Sequence, residues 1–145
     1  MYAQMGAICG FIPVRGQARY YTEQWRVLNE QHYDANSFVG SAIALATVES
    51  GIGAWKELQV SLEKVIEICN SLGNNRQAGE ALSFMASNAT MEGNILLAER
   101  YNARVLENAL RRNNPVQIIW NCEWAGSIAL RRGEVDQAMA IVTRA

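Results

Sequence analysis

Cysteine and histidine are the side chains best suited to nucleophilic or metal chemistry, and this chain has few of them. Cys9, Cys69 and Cys122 lie far apart without CxxC spacing, and His32 is the single histidine. An odd number of widely spaced cysteines is typical of reduced, buried thiols rather than of a disulfide framework or a zinc site. His32 falls where a helix is predicted to end, so a side chain that faces the helix dipole or is solvated is expected. We therefore predict no metal site and no cofactor.

Glutamates are the other candidate acid–base groups, and they are scattered along predicted helices. Such scattering is typical of a solvated helix surface. The glutamates considered are Glu23, Glu30, Glu49, Glu80, Glu92, Glu99, Glu107 and Glu123. The sequence has no phosphate-binding glycine loop, no HExxH and no GxSxG motif. We therefore predict no catalytic residue and no enzyme activity in this chain.

The four tryptophans divide into two pairs. Trp25 and Trp55 lie on apolar stripes and are expected in the core. Trp120 and Trp124 are one helical turn apart and share one face of a predicted helix. For Trp120, a core position and a binding-surface position both remain open.

Charge and hydropathy exclude several classes of partner. The formal net charge of −1 on 145 residues argues against a general nucleic-acid binder. The pairs Arg111-Arg112 and Arg131-Arg132 precede turn signals, where cations complement the carboxyl end of a helix. No apolar run reaches the roughly 18 residues that cross a bilayer, and the start of the chain lacks the basic segment of a signal peptide. We expect a soluble, cytoplasmic protein that binds neither nucleic acid nor membrane.

Glycines recur at a nearly constant spacing along the chain. Gly16, Gly53, Gly93 and Gly133 form a series whose successive numbers differ by 37, 40 and 40. Between them, apolar residues recur in steps of three and four, which is typical of amphipathic helices, and no strand-like alternation competes. The predicted helices span about 2–12, 17–32, 36–51, 54–72, 76–92, 94–112, 115–132 and 135–145. The sequence thus predicts an all-α repeat protein, a single domain over 1–145.

Small residues at fixed distances from these glycines resemble the tetratricopeptide repeat family. Seven positions before the glycines stand small residues, and five positions after the last two stands the alanine typical of the family. The small residues are Cys9, Ala46, Ala86 and Gly126, and the residues five after are Tyr21, Leu58, Ala98 and Ala138. The resemblance implies an α-solenoid of about four antiparallel helix pairs in a right-handed superhelix.

The repeat of about 40 residues is longer than the usual 34. Units of this length resemble the helical arrays at the carboxyl end of large bacterial multidomain signalling ATPases, which are linked to cyclase, kinase or transcription-activator functions. The resemblance implies a non-catalytic protein-interaction or regulatory scaffold module of a larger bacterial signalling protein. The alternative is a small-molecule effector-sensing domain of an ATP-dependent regulator. We expect a fragment of a longer chain, whose apolar last segment 135–145 contacts a further repeat or self-associates.

The resemblance also predicts where a partner binds, because the first helix of each pair lines the concave face in such arrays. The predicted partner-binding residues are Ile43, Thr47, Glu80, Ser83, Ser87, Trp120, Glu123 and Ser127. This surface combines small, hydroxyl and acidic groups around one aromatic side chain. It is predicted to bind a protein or peptide that carries a basic residue and an apolar side chain.

Overall fold

A computed structural model describes residues 1–12, 14–32 and 34–144, which form eight α-helices and, within these ranges, no strand. The helices are α1 (Tyr2–Phe11), α2 (Arg15–Gln31), α3 (Ala35–Ile52), α4 (Trp55–Ser71), α5 (Asn75–Met91), α6 (Ile95–Arg111), α7 (Pro115–Arg131) and α8 (Val135–Arg144). Each predicted helix is present, and each boundary lies within two positions of its predicted place. The all-α helical-repeat prediction is confirmed, and the hand of the superhelix stays a prediction.

The chain divides into two compact units, unit 1 (Met1–Ala81) and unit 2 (Leu82–Ala145). In unit 1, α1 packs against α2 and α3, and α3 packs against α4. In unit 2, α6 packs against α7, and α7 packs against α8. Each unit is therefore built from helices that contact their neighbours in sequence, as helical repeats are.

Residues with positive φ follow the helices α3 to α7 at a constant interval. They are Gly53, Gly73, Gly93, Asn113 and Gly133, and their sequence numbers rise in equal steps. Glycine adopts this left-handed conformation without steric cost, and asparagine tolerates it better than most residues. One helix with its turn is therefore the smallest repeating element, and two such elements make one full repeat.

Asparagine or aspartate begins α3, α5, α6 and α7 at matching positions. The side chain of each accepts a hydrogen bond from the backbone N–H three positions later, which satisfies one of the free donors of a helix start. These caps are Asp34, Asn74, Asn94 and Asn114. Pro115, the first residue of α7, adds a fixed φ and has no N–H to leave unpaired. The starts of these four helices are therefore specified by their own side-chain caps, as their ends are by the turn residues.

The prediction that Gly16 is a turn residue is wrong. The Ala18 N–H donates to the Val14 carbonyl oxygen over 3.0 Å, so Gly16 lies inside the first turn of α2. The register of the first repeat is therefore three positions earlier than predicted. The alanine position is Ala18 rather than Tyr21, and Ala18 is buried, as are Leu58, Ala98 and Ala138 at the same position of later repeats.

The small-residue position of the first repeat is also corrected, from Cys9 to Gly6. A Cβ at position 6 would lie only 2.8 Å from Leu45 Cδ2, so α1 and α3 approach closely there. Gly6 lies one full repeat before the predicted Ala46, which is fully buried, and Ala86 and Gly126 are buried in turn. Close helix contact requires small residues at this position.

The cores of the two units match position by position. In unit 1, Cys9, Ala18 and Val48 are buried together. In unit 2, two repeats further along the chain, Ala89, Ala98 and Ile128 form the corresponding cluster. Tyr21 and Tyr101 pack against these clusters at equivalent positions. The repeat therefore holds in three dimensions as well as in sequence.

Candidate functional site

A buried ion pair in unit 1 is the most unusual polar feature of the described residues. Glu49, on α3, is 1% exposed, and its Oε1 lies 2.7 Å from Nη2 of Arg26 on α2. The Arg26 side chain remains about one-third exposed, and its Nη1 lies 3.8 Å from Glu23. The pair therefore joins an interior carboxylate to a guanidinium that reaches solvent.

The environment of Glu49 favours its protonated form. Burial raises the pKa of the Glu49 carboxyl, the charge and hydrogen bond of Arg26 lower the pKa, and nearby Glu57 raises it. Burial has the largest effect, so the pKa lies above the ordinary value. A cation that entered beside Glu49 would favour the ionised carboxylate and oppose this shift.

An open cleft of about 480 Å³ gives access to this pair. It is lined by α2, the end of α3, the following turn and the start of α4. The lining residues are Arg19, Thr22, Glu23, Arg26, Glu49, Gly53, Ala54 and Glu57. Three carboxylates and two guanidiniums lie around one opening, which suits a small ligand with a cationic group.

A second cleft, of about 270 Å³, lies between α6, α7 and α8 of unit 2. Seven of the eight lining positions of the first cleft recur in it, two repeats later. Ala129 replaces Glu49, and Leu106 replaces Arg26. The charged pair is therefore a property of unit 1 rather than of the repeat.

Two buried asparagines line the second cleft. Asn121 Nδ2 donates to the Asn102 backbone oxygen over 2.6 Å and to its Oδ1 over 2.8 Å. Asn102 Nδ2 donates back to the Asn121 backbone oxygen over 3.3 Å. Both side chains are buried, so this exchange satisfies polar groups that would otherwise be costly to bury. It joins α6 to α7.

The prediction that Glu49 belongs to a solvated surface is wrong. In the register of the full repeat its equivalents are Cys9, Ala89 and Ala129, all buried, so the position faces the core. The alignment of position 49 with these small or apolar equivalents was the signal that could have identified Glu49 as a core residue from the sequence. Other glutamates do lie at the surface, where Glu80 pairs with Arg76 and Glu107 with Arg111.

The predicted partner-binding residues of unit 1 are all partly exposed. Ile43 and Thr47 lie one turn apart on α3, and Glu80 lies on α5. Arg76 Nη1 donates to Glu80 Oε1 over 2.6 Å. A basic ligand would therefore compete with Arg76 for this carboxylate.

The predicted partner-binding residues of unit 2 lie on α5 and α7. Gln117 Nε2 donates to Ser83 Oγ over 3.3 Å and so links the two helices. Trp120 follows Gln117 by about one turn and is 54% exposed. Glu123 is exposed one turn further along α7. Ser87 and Ser127 are partly exposed. Trp120 is therefore a surface residue, and the core alternative for it is excluded.

The remaining tryptophans are partly buried. Trp25 stacks on Phe38 with ring centroids 5.7 Å apart, and Trp55 Nε1 donates to the Ser50 carbonyl oxygen over 3.3 Å. Trp124 is partly buried on α7. Trp25 and Trp55 therefore pack at the core margin, with one edge reaching solvent.

The cysteines carry no disulfide. Cys9 and Cys69 are buried, Cys122 is partly buried, and all three are free thiols. Burial raises the pKa of the Cys69 thiol, and Glu80 raises it further. A raised pKa lowers the reactive thiolate fraction. His32 is exposed at the end of α2, as predicted.

The side chains that commonly bind metal ions are dispersed through the fold. Within 1–12, 14–32 and 34–144, no three histidine, cysteine or acidic side chains are grouped as ligands of one ion. Over the same part of the chain, no helix combines the length and apolar character needed to cross a bilayer.

What this chain shares with known proteins is its helical-repeat architecture. No protein-family model matches the chain, and no curated protein or solved structure is significantly similar to it. The paired helices support the resemblance to helical repeats at the level of fold.

Proposed function

We propose that this chain is a non-catalytic protein-interaction module, a regulatory scaffold within a larger bacterial signalling protein of the cytoplasm. The observation that carries the proposal is the exposed indole of Trp120 on α7. Burial of an indole is strongly favourable in free energy, and an exposed one does not gain it. Tryptophan often supplies the central contact of an interface. The link to signalling ATPases rests on the sequence resemblance alone.

The surroundings of Trp120 define the chemistry of the partner. Val116 precedes Trp120 by four positions and is also exposed, whereas Glu123 follows it by three. These side chains share one face of α7. A peptide with an apolar side chain over the indole and a lysine or arginine beside Glu123 would satisfy both groups.

A displayed library of short peptides tests the proposal. We expect selected peptides to combine a basic with an apolar residue. Their affinity for Trp120→Ala and for Glu123→Lys should be lower than for the wild type by at least about tenfold, or 1.4 kcal/mol. Leu96→Ala is the matched control, because Leu96 is a comparably exposed apolar residue on α6. Peptides that lack a basic residue, or that bind Trp120→Ala and the wild type equally, would contradict the proposal.

The charged cleft of unit 1 favours effector sensing as a second candidate function. Glu49 and Arg26 occupy positions that hold Ala129 and Leu106 in the matching cleft of unit 2. Burying an ion pair where the repeat tolerates apolar residues costs stability, which a binding role would justify. The ligand would carry an amine or guanidinium.

Thermal shifts with a panel of diamines, polyamines and basic amino acids test this candidate. A ligand that binds only the folded chain stabilises it by about 2.7 kcal/mol at 100 times its Kd. We expect a rise in Tm for the wild type and for Glu107→Gln, which changes an exposed carboxylate of unit 2. Glu49→Gln should lose the rise. If no ligand of the panel raised the Tm, or if Glu49→Gln showed an equal rise, effector sensing by this cleft would be excluded.

A further inference from the structure

The charged side chains that line the cleft of unit 1 do not all find partners within it. Arg26 lies 2.7 Å from the carboxylate of Glu49 and 3.8 Å from that of Glu23. Arg19 on α2 and Glu57 on α4 also line the cleft, and neither forms an ion pair with another residue in the described part of the chain. One cation and one anion are therefore left unpaired on two walls of the same cleft.

The matching cleft of unit 2 differs at both of these positions. Glu99 stands at the position of Arg19, and its Oε1 lies 2.6 Å from Nη1 of Arg132. The uncharged Gln137 stands at the position of Glu57. The two unpaired charges are therefore particular to unit 1, as the buried ion pair is, and do not belong to the repeat.

The placement of the charges indicates where a cationic group of a ligand would lie. Glu57 is close enough to Glu49 for its negative charge to raise the pKa of that carboxyl. A cationic group beside Glu57 would thus also be near Glu49, as the effector-sensing candidate requires. Arg19 lies one turn before Glu23 and two turns before Arg26 on the same face of α2. Its guanidinium is the unpaired positive group of the lining.

Arg19 makes a ligand with a second, negative group more favourable than an amine alone. A diamine would balance Glu57, but it would bring further positive charge into a cleft where Arg19 has no partner, which costs electrostatic free energy. A carboxylate in the same ligand would accept charge-assisted hydrogen bonds from the Arg19 guanidinium, a contact that is often bidentate.

The total charge of the lining favours a ligand with one positive charge in excess. Three carboxyls and two guanidiniums leave one negative charge in excess when all are ionised. Lysine and arginine, as free amino acids at neutral pH, have two cationic groups and one carboxylate. They therefore carry the required excess charge together with the negative group that suits Arg19.

We propose that the cleft of unit 1 binds a free basic amino acid, whose side-chain cation lies beside Glu57 and Glu49 and whose carboxylate lies on Arg19. The inference rests on the effector-sensing candidate and adds to it the second charged group of the ligand. Arg26 keeps its hydrogen bond to Glu49 in this arrangement. Arg19 is then the residue that distinguishes a basic amino acid from the corresponding amine.

Two matched pairs of compounds test the proposal, lysine with cadaverine and arginine with agmatine. The members of each pair differ only by the α-carboxylate. Titration calorimetry of the full chain at constant ionic strength measures the four affinities. We expect the wild type to bind each amino acid at least about threefold more tightly than its decarboxylated counterpart, because the contact with Arg19 is partly solvated.

Arg19→Gln should change the two members of a pair in opposite directions. The amino acid loses the partner of its carboxylate and should bind more weakly, whereas the amine loses a repulsive neighbour and should bind at least as tightly as before. Glu57→Gln should weaken the binding of both. Arg100→Gln is the matched control, because it removes an exposed arginine of α6 that lines neither cleft, and it should leave every affinity unchanged. Circular dichroism should show equal helicity in all variants.

Equal affinities within each pair, or tighter binding of the amines, would overturn the proposal and leave effector sensing by amines intact. Equal losses of both compounds in Arg19→Gln, or unchanged binding by Glu57→Gln, would overturn the proposed arrangement in the same way. An effect of Arg100→Gln as large as that of Arg19→Gln would assign the difference to net charge and also overturn it. If none of the four compounds bound, this proposal and effector sensing would both fail.

Discussion

At the scale of single residues, the buried carboxyl of Glu49 sets a pH dependence of folding. Its pKa is raised in the folded state above the ordinary 4.5, so folding favours the protonated form. Its contribution to stability is fully present below the unfolded pKa and is lost as pH rises through the folded pKa. The free energy of unfolding should therefore fall relative to that of Glu49→Gln over this interval.

Urea unfolding of the two proteins at a series of pH values, from below the ordinary pKa of 4.5 to neutral, measures the difference. Glu107→Gln, which changes a glutamate in an exposed ion pair, serves as the control and should not alter the pH profile. A difference between wild type and Glu49→Gln that stays constant with pH would show that the burial of Glu49 is not linked to its ionisation.

At the scale of the helices, close approach depends on the small residue that recurs once in every full repeat. We expect Gly126→Leu to destabilise the α7–α8 contact by about 1–3 kcal/mol, because the added side chain must displace Val142. Ser127→Leu, at a partly exposed neighbouring position, should cost much less. Urea midpoints of the two variants make the comparison, and equal midpoints would show that the register of the repeat is misplaced.

Gly6→Leu extends the same comparison to unit 1. Its Cβ would meet Leu45, which is fully buried, so the helix has no exposed side chain to displace. We expect a loss of stability at least as large as that of Gly126→Leu. A tolerated Gly6→Leu would restore Cys9 as the small-residue position of the first repeat.

At the scale of the whole molecule, the chain is built by repetition of one helix–turn element. From Gly53 to Gly133, turn residues with positive φ recur once per element, and core positions recur once per pair of elements. Differences between the two clefts then arise from different residues at equivalent positions, such as Glu49 in unit 1 and Ala129 in unit 2.

Helix positions were predictable because their signals are local. Glycine or asparagine ends a helix, a polar cap begins the next, and apolar steps of three and four mark the face between them. Gly16 misled the register of the first repeat because glycine is also tolerated inside a helix. The start of α2 depends instead on packing Ala18 into the cluster with Cys9 and Val48.

The sequence by itself determined the helices and their period, since each follows from neighbouring residues along the chain. Only the tertiary structure decided that Glu49 is buried against Arg26, that Trp120 is exposed, and that Gly6 receives Leu45. The physical reason is that burial is set by side chains contributed from other helices. A glutamate on an amphipathic helix has the same local pattern whether a distant arginine or water surrounds it.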